Sequence, residues 1–314
     1  MNHALTLTSS AAIVLLLAAC GGEPADTAAT DAPAADATAA ADPAPAPAAE
    51  PAAPAGPSLD AILDAQPEDV QARFAWRNPK ETLEFFGVEP GMTVVEALPG
   101  GGWYSKILLP FIGDEGHLIG VNYNASMWPL FGFFSDEQLA EAEVWTDTWP
   151  TEAGGWTDSG AEISAYEFGE VAADAHGTAD VVLLVRALHN LNRFEGDGGY
   201  FSQAATDVFD LLKPGGVLGV VQHQAPDEWG EDRTDGSRGY LNKAWLIAQM
   251  ESAGFVLEGE SGINHNHNDQ PGDNDVVWRL PPTLATSRDN EELRKELQAV
   301  GESNRMTLKF RKPS

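Results

Sequence analysis

The chain has 314 residues, a formal net charge of −30 and a single cysteine, Cys20. This acidity argues against a nucleic-acid partner, because a negative surface repels phosphate backbones. With one cysteine, the chain can form no internal disulfide and no zinc site built from several thiolates.

The first segment of the chain has the layout of a bacterial export signal. An apolar run too short to span a bilayer ends in Leu17-Ala18-Ala19-Cys20. This ending resembles a lipoprotein box, in which the cysteine carries the lipid, and Gly21 rather than an aspartate follows it. We therefore expect a signal peptide over residues 1–19, lipidation of Cys20 and an outer-membrane location facing the periplasm of a Gram-negative cell. A plain cleaved signal or an uncleaved anchor is the alternative.

Residues 20–57 follow as a low-complexity segment made almost entirely of Ala, Pro, Asp and Thr. It lacks aromatic and large aliphatic residues, so it buries too little apolar surface to offset the entropy of ordering. It holds six acidic residues and no Lys or Arg, which leaves −24 of the −30 charge to residues 58–314. We expect a disordered tether, with the lipid as the only membrane contact, and a single folded domain at residues 58–314.

A helical extension precedes the first predicted strand. Ser58 is a suitable helix cap, and residues 69–76 have apolar residues at helical spacing. The segment Asn78-Pro79-Lys80-Glu81 predicts a capping box for a helix over residues 81–86, which Gly87 would end. We expect these helices to cover the sheet or the mouth of a ligand site.

Strands and helices alternate along the rest of the chain. The predicted strands are residues 93–97, 117–121, 162–168, 179–185, 217–222, 255–260 and 306–311, and the predicted helices are residues 104–111, 199–212, 243–253 and 290–300, with a partly helical, aromatic-rich segment at 128–156. Continuous apolar strands separated by helices predict an α/β fold of the Rossmann-like, doubly wound type, with a mostly parallel sheet and helices on both faces. We expect the last strand to pair antiparallel at or near the sheet edge.

A glycine-rich loop, Leu98-Pro99-Gly100-Gly101-Gly102, follows the first predicted strand. In open α/β sheets, ligands bind beyond the carboxyl ends of the strands. Glycines allow a ligand to approach the backbone closely, and the next helix offers free N–H groups. A tight strand–helix turn would use the same glycines, so the loop alone leaves a cofactor site and a plain turn both open.

Three segments together resemble the class I S-adenosylmethionine-dependent methyltransferases. They are residues 94–102, residues 120–122 at the second strand end, and the Lys-Pro-Gly-Gly turn at residues 213–216. The resemblance implies S-adenosylmethionine as the cofactor, with its methionine end on the acidic residue and glycines of the first loop and its ribose on the residue at the second strand end. Carried over to this chain, the cofactor-binding residues are Glu96, Pro99, Gly100, Gly101, Gly102, Trp103 and Asn122.

The sequence departs from that family at two positions. Leu98 stands where the loop has its first glycine, and Asn122 stands where a ribose-binding carboxylate is usual. A second resemblance, to exported bacterial proteins described as predicted methyltransferases, covers residues 69–313. It is carried by the segments at residues 78–88, 99–104, 186–190, 278–282 and 301–310. This likeness identifies a family better than an activity.

The candidate catalytic residues are Arg186 and His189, after the most apolar strand, and His223, at the end of the next strand. A histidine near its ordinary pKa can remove a proton during methyl transfer, and an arginine can orient an anionic substrate or a cofactor carboxylate. Alternatively, His189 and Asn190 only stabilise the loop at the strand end. The histidines and Glu96 are too scattered to predict a metal site, and His265 with His267 indicates an Asn-rich turn.

The sequence thus predicts a methyltransferase with an unidentified small-molecule substrate. A second hypothesis is a non-catalytic, small-molecule-binding lipoprotein on the same scaffold. It is favoured by Leu98, by Asn122 and by the doubtful supply of a cytoplasmic cofactor in the envelope. A third, a nicotinamide-dependent oxidoreductase, is disfavoured because Gly100-Gly101-Gly102 only half matches the dinucleotide pattern and the second strand lacks its carboxylate.

Overall fold

The computed structural model describes residues 56–314. The predicted signal peptide, the lipidation of Cys20 and nearly all of the tether lie outside the described residues. Between residues 56 and 314, no helix combines the length and the apolar character needed to cross a bilayer.

Seven strands form one sheet. They are β1 (Thr93–Ala97), β2 (His117–Asn122), β3 (Glu162–Glu167), β4 (Ala179–Val185), β5 (Leu212–His223), β6 (Val256–Ser261) and β7 (Arg305–Arg311). Their order is β3-β2-β1-β4-β5-β7-β6. Strands β1 to β5 pair in parallel, whereas β7 is antiparallel to both of its neighbours, β5 and β6. The predicted mostly parallel, doubly wound sheet is confirmed, and so is the antiparallel last strand near the edge.

Thirteen α-helices accompany the sheet in the described part of the chain. They are α1 (Leu59–Asp64), α2 (Glu68–Gln71), α3 (Phe74–Arg77), α4 (Pro79–Phe86), α5 (Ser105–Ile112), α6 (Asp136–Glu143), α7 (Trp145–Gly154), α8 (Leu188–Arg193), α9 (Glu195–Gly198), α10 (Tyr200–Leu211), α11 (Glu231–Thr234), α12 (Lys243–Ser252) and α13 (Glu291–Val300). Short 3₁₀ helices lie at Ala125–Phe131, Ala173–Ala175, Val277–Arg279 and Ala285–Ser287.

Two apolar layers hold the helices on opposite faces of the sheet. One layer joins the strands to α8, α10 and α12, and the other joins them to α1, α4, α5 and α7. Full burial of a leucine or phenylalanine side chain contributes about 1.5–3 kcal/mol, so these layers supply most of the stabilisation. In the second layer, a Cβ on Gly120 would lie 2.6 Å from the Trp149 ring, so the absence of a side chain at this position of β2 makes room for that ring.

The switch point of the sheet lies between β1 and β4. The chain runs outward from β1 to β2 and β3 and then returns to the other side of β1. The carboxyl ends of these strands therefore border a crevice, which is where open α/β sheets bind ligands.

Two of the local predictions about turns were wrong. Asn78 makes no capping hydrogen bond and takes a left-handed conformation, because its side chain donates to the carbonyl of Ile263 at 2.8 Å. The predicted turn before β5 belongs to the strand itself, which begins at Leu212 in register with Ala179.

Candidate functional site

The glycine loop follows β1 at the switch point, and its backbone alternates in handedness. Leu98, Gly100 and Gly102 all have positive φ angles, of 54°, 54° and 75°. A left-handed conformation costs a residue with a Cβ roughly 1–2 kcal/mol, so Leu98 adopts the conformation that a glycine would supply. The loop therefore has a glycine-type backbone at residue 98, although the side chain there is leucine.

The three glycines of the loop differ in their surroundings. A Cβ on Gly101 would meet nothing within 4 Å, and on Gly100 the nearest atom would be the carbonyl oxygen of Leu98 at 4.0 Å. Both residues are exposed, and they lie just before the N-terminus of α5. A Cβ on Gly102 would instead lie 2.2 Å from the ring of Trp156. Gly100 and Gly101 thus border open space, and Gly102 is needed for packing.

Glu96 ties the strand before the loop to the helix after it. Its side chain is buried and accepts a hydrogen bond from the Ser105 hydroxyl at 2.6 Å. Burial raises the pKa of Glu96 to about 7, although the Ser105 hydrogen bond and the charge of Arg186 act in the opposite direction. The carboxyl group therefore changes charge near neutral pH.

Trp103, directly after the glycines, is half-buried against α3. The guanidinium of Arg77 lies 4.4 Å from its ring centroid, and Phe74 and Tyr104 contact it edge-on at 6.1 and 4.8 Å. The ring is thus fixed beside the loop by the helical extension.

Asn122 ends β2, at the same edge of the sheet as the loop. The register pairs Ala97 with Val121, so Asn122 lies beside Leu98. Its Oδ1 accepts a hydrogen bond from the N–H of Tyr123 at 2.8 Å. This orients the amide next to the crevice where the loop and β2 end.

A cavity of about 220 Å³ lies on the other side of β1, over the ends of β4 and β5. The predicted residues Arg186, His189 and His223 all line it, and the two histidine rings are 5.4 Å apart at their centroids. The structure thus brings His223, at the end of β5, together with Arg186 and His189, which follow β4. The remaining lining comes from Leu98, Val185, Val277, Trp278, Leu280, Pro281, Pro282, Thr283, Glu302 and Ser303.

Arg186 follows β4 with a positive φ of 59°. Its Nε is buried and has no hydrogen-bond partner among residues 56–314. Burial lowers the pKa of Arg186, and the nearby carboxylate of Glu302 acts in the opposite direction. A buried charge without a hydrogen-bonded partner is costly, so this guanidinium has unused capacity for an anion.

Both histidines are neutral at pH 7. The Gln222 amide donates to His189 Nδ1 at 3.4 Å, and burial lowers the pKa of His189 to about 4. Nδ1 of His223 lies 2.5 Å from the Ser303 hydroxyl, and burial, with His189 and Arg186 nearby, holds its pKa well below the ordinary value. In the described chain, no three His, Cys, Asp or Glu side chains are grouped to hold a metal ion.

The sequence did not predict an arginine cluster beside this cavity. Glu302 is buried and pairs with Arg73, with Arg77 at 3.1 Å and with Arg305 at 3.2 Å. Burial raises the pKa of Glu302, but the surrounding guanidinium groups outweigh it and lower the pKa below its usual value. More than two hundred residues separate Arg73 from Glu302. The only hint in the sequence was the segment at residues 301–310.

The Asn-rich turn positions Glu302. The Asn266 amide donates to the carbonyls of Val300 and Glu302, at 2.8 and 2.6 Å. The His265 and His267 rings are 6.0 Å apart at their centroids, outside the cavity lining. Hydrogen bonding by its asparagines accounts for this segment, as the sequence indicated.

The sheet itself identifies the scaffold. An antiparallel β7 between β5 and β6 distinguishes it from the six-stranded order of dinucleotide-binding domains. The fold is a Rossmann-like, mostly parallel α/β sheet with one antiparallel strand next to its edge.

The similarity to known proteins is to solved structures at low sequence identity. No family model matches the chain, and no curated protein matches it. A methyltransferase structure from Aquifex aeolicus is similar at 15% identity and TM-score 0.42, over 66% of this chain and 93% of that one. The [4+2]-cyclase SpnF is similar at 14% identity and TM-score 0.46, over 76% and 80%. An N1-methyltransferase from Burkholderia thailandensis, solved with S-adenosylhomocysteine, is similar at 12% identity and TM-score 0.43, over 79% and 82%.

Proposed function

We propose that this protein is an S-adenosylmethionine-dependent methyltransferase that acts on a small molecule. The loop after β1 carries the proposal. It has a left-handed backbone at residues 98, 100 and 102, and open space over Gly100 and Gly101. A plain strand–helix turn would require neither the alternation nor the exposed, unobstructed glycines.

The residues around the loop fit the cofactor. Gly100 and Gly101 leave the backbone accessible next to the N-terminus of α5, where free N–H groups attract an anionic group. Glu96 would support the methionine end, Trp103 would form a wall, and the Asn122 amide would bind the ribose. When bound, S-adenosylmethionine supplies an activated methyl group.

Catalysis would come mainly from positioning. Arg186, His189 and His223 would hold the acceptor substrate in the cavity next to the loop. The low pKa of His189 makes it a weak proton acceptor, and its Nδ1 already accepts from Gln222. Orientation of two reactants can lower a barrier by about 7–11 kcal/mol, more than a weak base contributes.

Calorimetric titration of S-adenosylhomocysteine tests the proposal. We expect micromolar binding to the wild-type protein and loss of binding in Gly100→Val, whose side chain would be strained at a positive φ and would fill the open space. Gly177→Val is the matched control, because Gly177 also has a positive φ and open surroundings but precedes β4 at the opposite edge of the sheet. The absence of both heat and thermal stabilisation at millimolar ligand would rule the proposal out.

The non-catalytic lipoprotein is the second candidate, and Leu98 is the observation that favours it. Leu98→Gly separates the two candidates. Because the backbone at residue 98 is already left-handed, a working cofactor site gains little affinity from the glycine. If binding of S-adenosylhomocysteine appears only in Leu98→Gly, the wild-type loop is a remnant and the second candidate is correct.

A further inference from the structure

Arginines outnumber carboxylates in and around the cavity over β4 and β5: Arg186 and Glu302 line it, and three further arginines lie beside Glu302. Four arginines, at positions 73, 77, 186 and 305, surround the single carboxylate of Glu302. Three of them pair with it directly, and Arg186 makes no such ion pair. The chain carries a net charge of −30, so its overall composition does not account for a cluster of arginines in the interior. The cluster is therefore a feature of this site.

Two residues that line the cavity have a strained, left-handed backbone. The described residues include four non-glycine residues with positive φ, and two of them, Leu98 and Arg186, line this cavity. Strain of this kind costs about 1–3 kcal/mol per residue and is commonly found where a side chain must be presented to a ligand. At Arg186, the left-handed turn directs the chain from β4 into α8 and leaves the guanidinium at the cavity.

His189, which is neutral, adds a hydrogen-bond donor at the cavity. The Gln222 amide nitrogen can only donate, so Nδ1 of His189 accepts and its Nε2 carries the hydrogen. A guanidinium with unused donors beside an imidazole N–H is a combination that suits a carboxylate or a phosphate.

We propose that this cavity binds the anionic group, a carboxylate or a phosphate, of the methyl-accepting substrate. The identification of the ligand as the methyl-accepting substrate rests on the proposed methyltransferase function. The binding of an anion does not. The cavity lies across β1 from Asn122 and meets the glycine loop only at Leu98. A substrate held there by its anionic group would reach toward the loop, and a volume of about 220 Å³ suits the anion with a small part of its carrier.

Titration of the full-length protein with inorganic phosphate, and separately with acetate, tests the inference. We expect saturable binding to the wild-type protein by calorimetry, and affinity at least about tenfold weaker in Arg186→Gln, because a charge-assisted hydrogen bond is removed. Arg193→Gln is the matched control, since Arg193 ends α8, the helix that follows Arg186, but is exposed and outside the cavity. Equal affinity of Arg186→Gln and the wild type would overturn the inference.

Wild-type protein alone supplies a second test, which does not depend on the folding of a variant. Phosphate affinity is measured with and without saturating S-adenosylhomocysteine. Unchanged phosphate affinity supports a substrate subsite separate from the cofactor. Displacement of phosphate would assign the arginine to the cofactor carboxylate and overturn the inference, as would a failure of the wild type to bind either anion. If S-adenosylhomocysteine does not bind, the proposed function fails, while the Arg186-dependent anion binding stands or falls separately.

Discussion

Glu96 is the residue whose charge state links the loop to pH. It is buried between β1 and α5, and its folded-state pKa is about 7 against an ordinary value of 4.5. A raised pKa means that the folded protein holds the proton more tightly than the unfolded chain does. The resulting stability is fully present below pH 4.5 and is lost as the pH rises through about 7.

We predict that Glu96→Gln removes this pH dependence. A shift from 4.5 to about 7 corresponds to about 3 kcal/mol. His189 acts with the opposite sign in an overlapping window, because its pKa falls from 6.5 to about 4 and its contribution is lost on acidification. The contribution of His189 is the same in both proteins, so it cancels when the free energy of unfolding of Glu96→Gln is subtracted from that of the wild type.

The measurement is the free energy of unfolding in urea for both proteins from mildly acidic to mildly alkaline pH. Relative to Glu96→Gln, the wild-type protein is expected to lose stability as the pH rises. Two parallel curves across that range would show that Glu96 titrates as it does in the unfolded chain.

Among the elements, the turn from β1 into α5 has two roles, ligand access and packing. Gly100 and Gly101 leave space for a ligand, whereas Gly102 leaves space for the ring of Trp156. The sequence motif does not separate these tasks, since all three positions are glycine.

Alanine substitutions at two of these glycines separate the tasks. Gly102→Ala places a Cβ 2.2 Å from the Trp156 ring, and we expect it to destabilise the protein by about 1–3 kcal/mol through overpacking. Gly100→Ala is the control, because residue 100 also has a positive φ but its Cβ would meet only the carbonyl oxygen of Leu98, at 4.0 Å. Urea unfolding followed by tryptophan fluorescence measures both, and equal stabilities would contradict the assignment of Gly102 to packing.

The loop before β7 is the second element on which the site depends. Its Glu302 neutralises guanidinium groups that come from α3, from the residue before α3 and from β7. Removing one partner of a buried ionic cluster leaves charge uncompensated.

We therefore expect Glu302→Gln to cost about 3–5 kcal/mol of stability. The matched control is Glu258→Gln. Glu258 also binds two basic residues, Lys309 and Arg311, but it lies at the partly exposed sheet edge and is expected to cost less than about 1 kcal/mol. Chemical denaturation of both variants checks the contrast, and a loss at Glu302 no larger than that at Glu258 would refute it.

Across the whole molecule, the segments with a clear hydrophobic pattern were the ones that could be predicted from the sequence. The apolar runs of β1 and β4 matched their strands to the residue, because period and flanking turns define buried strands locally. Arg186, His189 and His223 could be brought together from the sequence, because parallel strands end at one edge. Short α8 was missed, since its six residues carry too little periodicity.

The arginine cluster could not be predicted, for a physical reason. Arg77 and Glu302 lie on elements at opposite ends of the domain sequence, and their pairing depends on where α3 packs against the loop before β7. No local pattern encodes that contact. In the same way, only the backbone could show that Leu98 takes a left-handed conformation of the kind that glycine favours.

The most direct test of the proposed cofactor and substrate sites is the electron density of the protein crystallised with S-adenosylhomocysteine and phosphate. We expect S-adenosylhomocysteine along the carboxyl ends of β1 and β2, over Gly100 and Gly101 with its ribose at Asn122, and phosphate at Arg186. Density for the ligand elsewhere, or its absence over the loop at saturating concentration, would contradict the cofactor site. An S-adenosylhomocysteine carboxylate at Arg186 would contradict the substrate subsite.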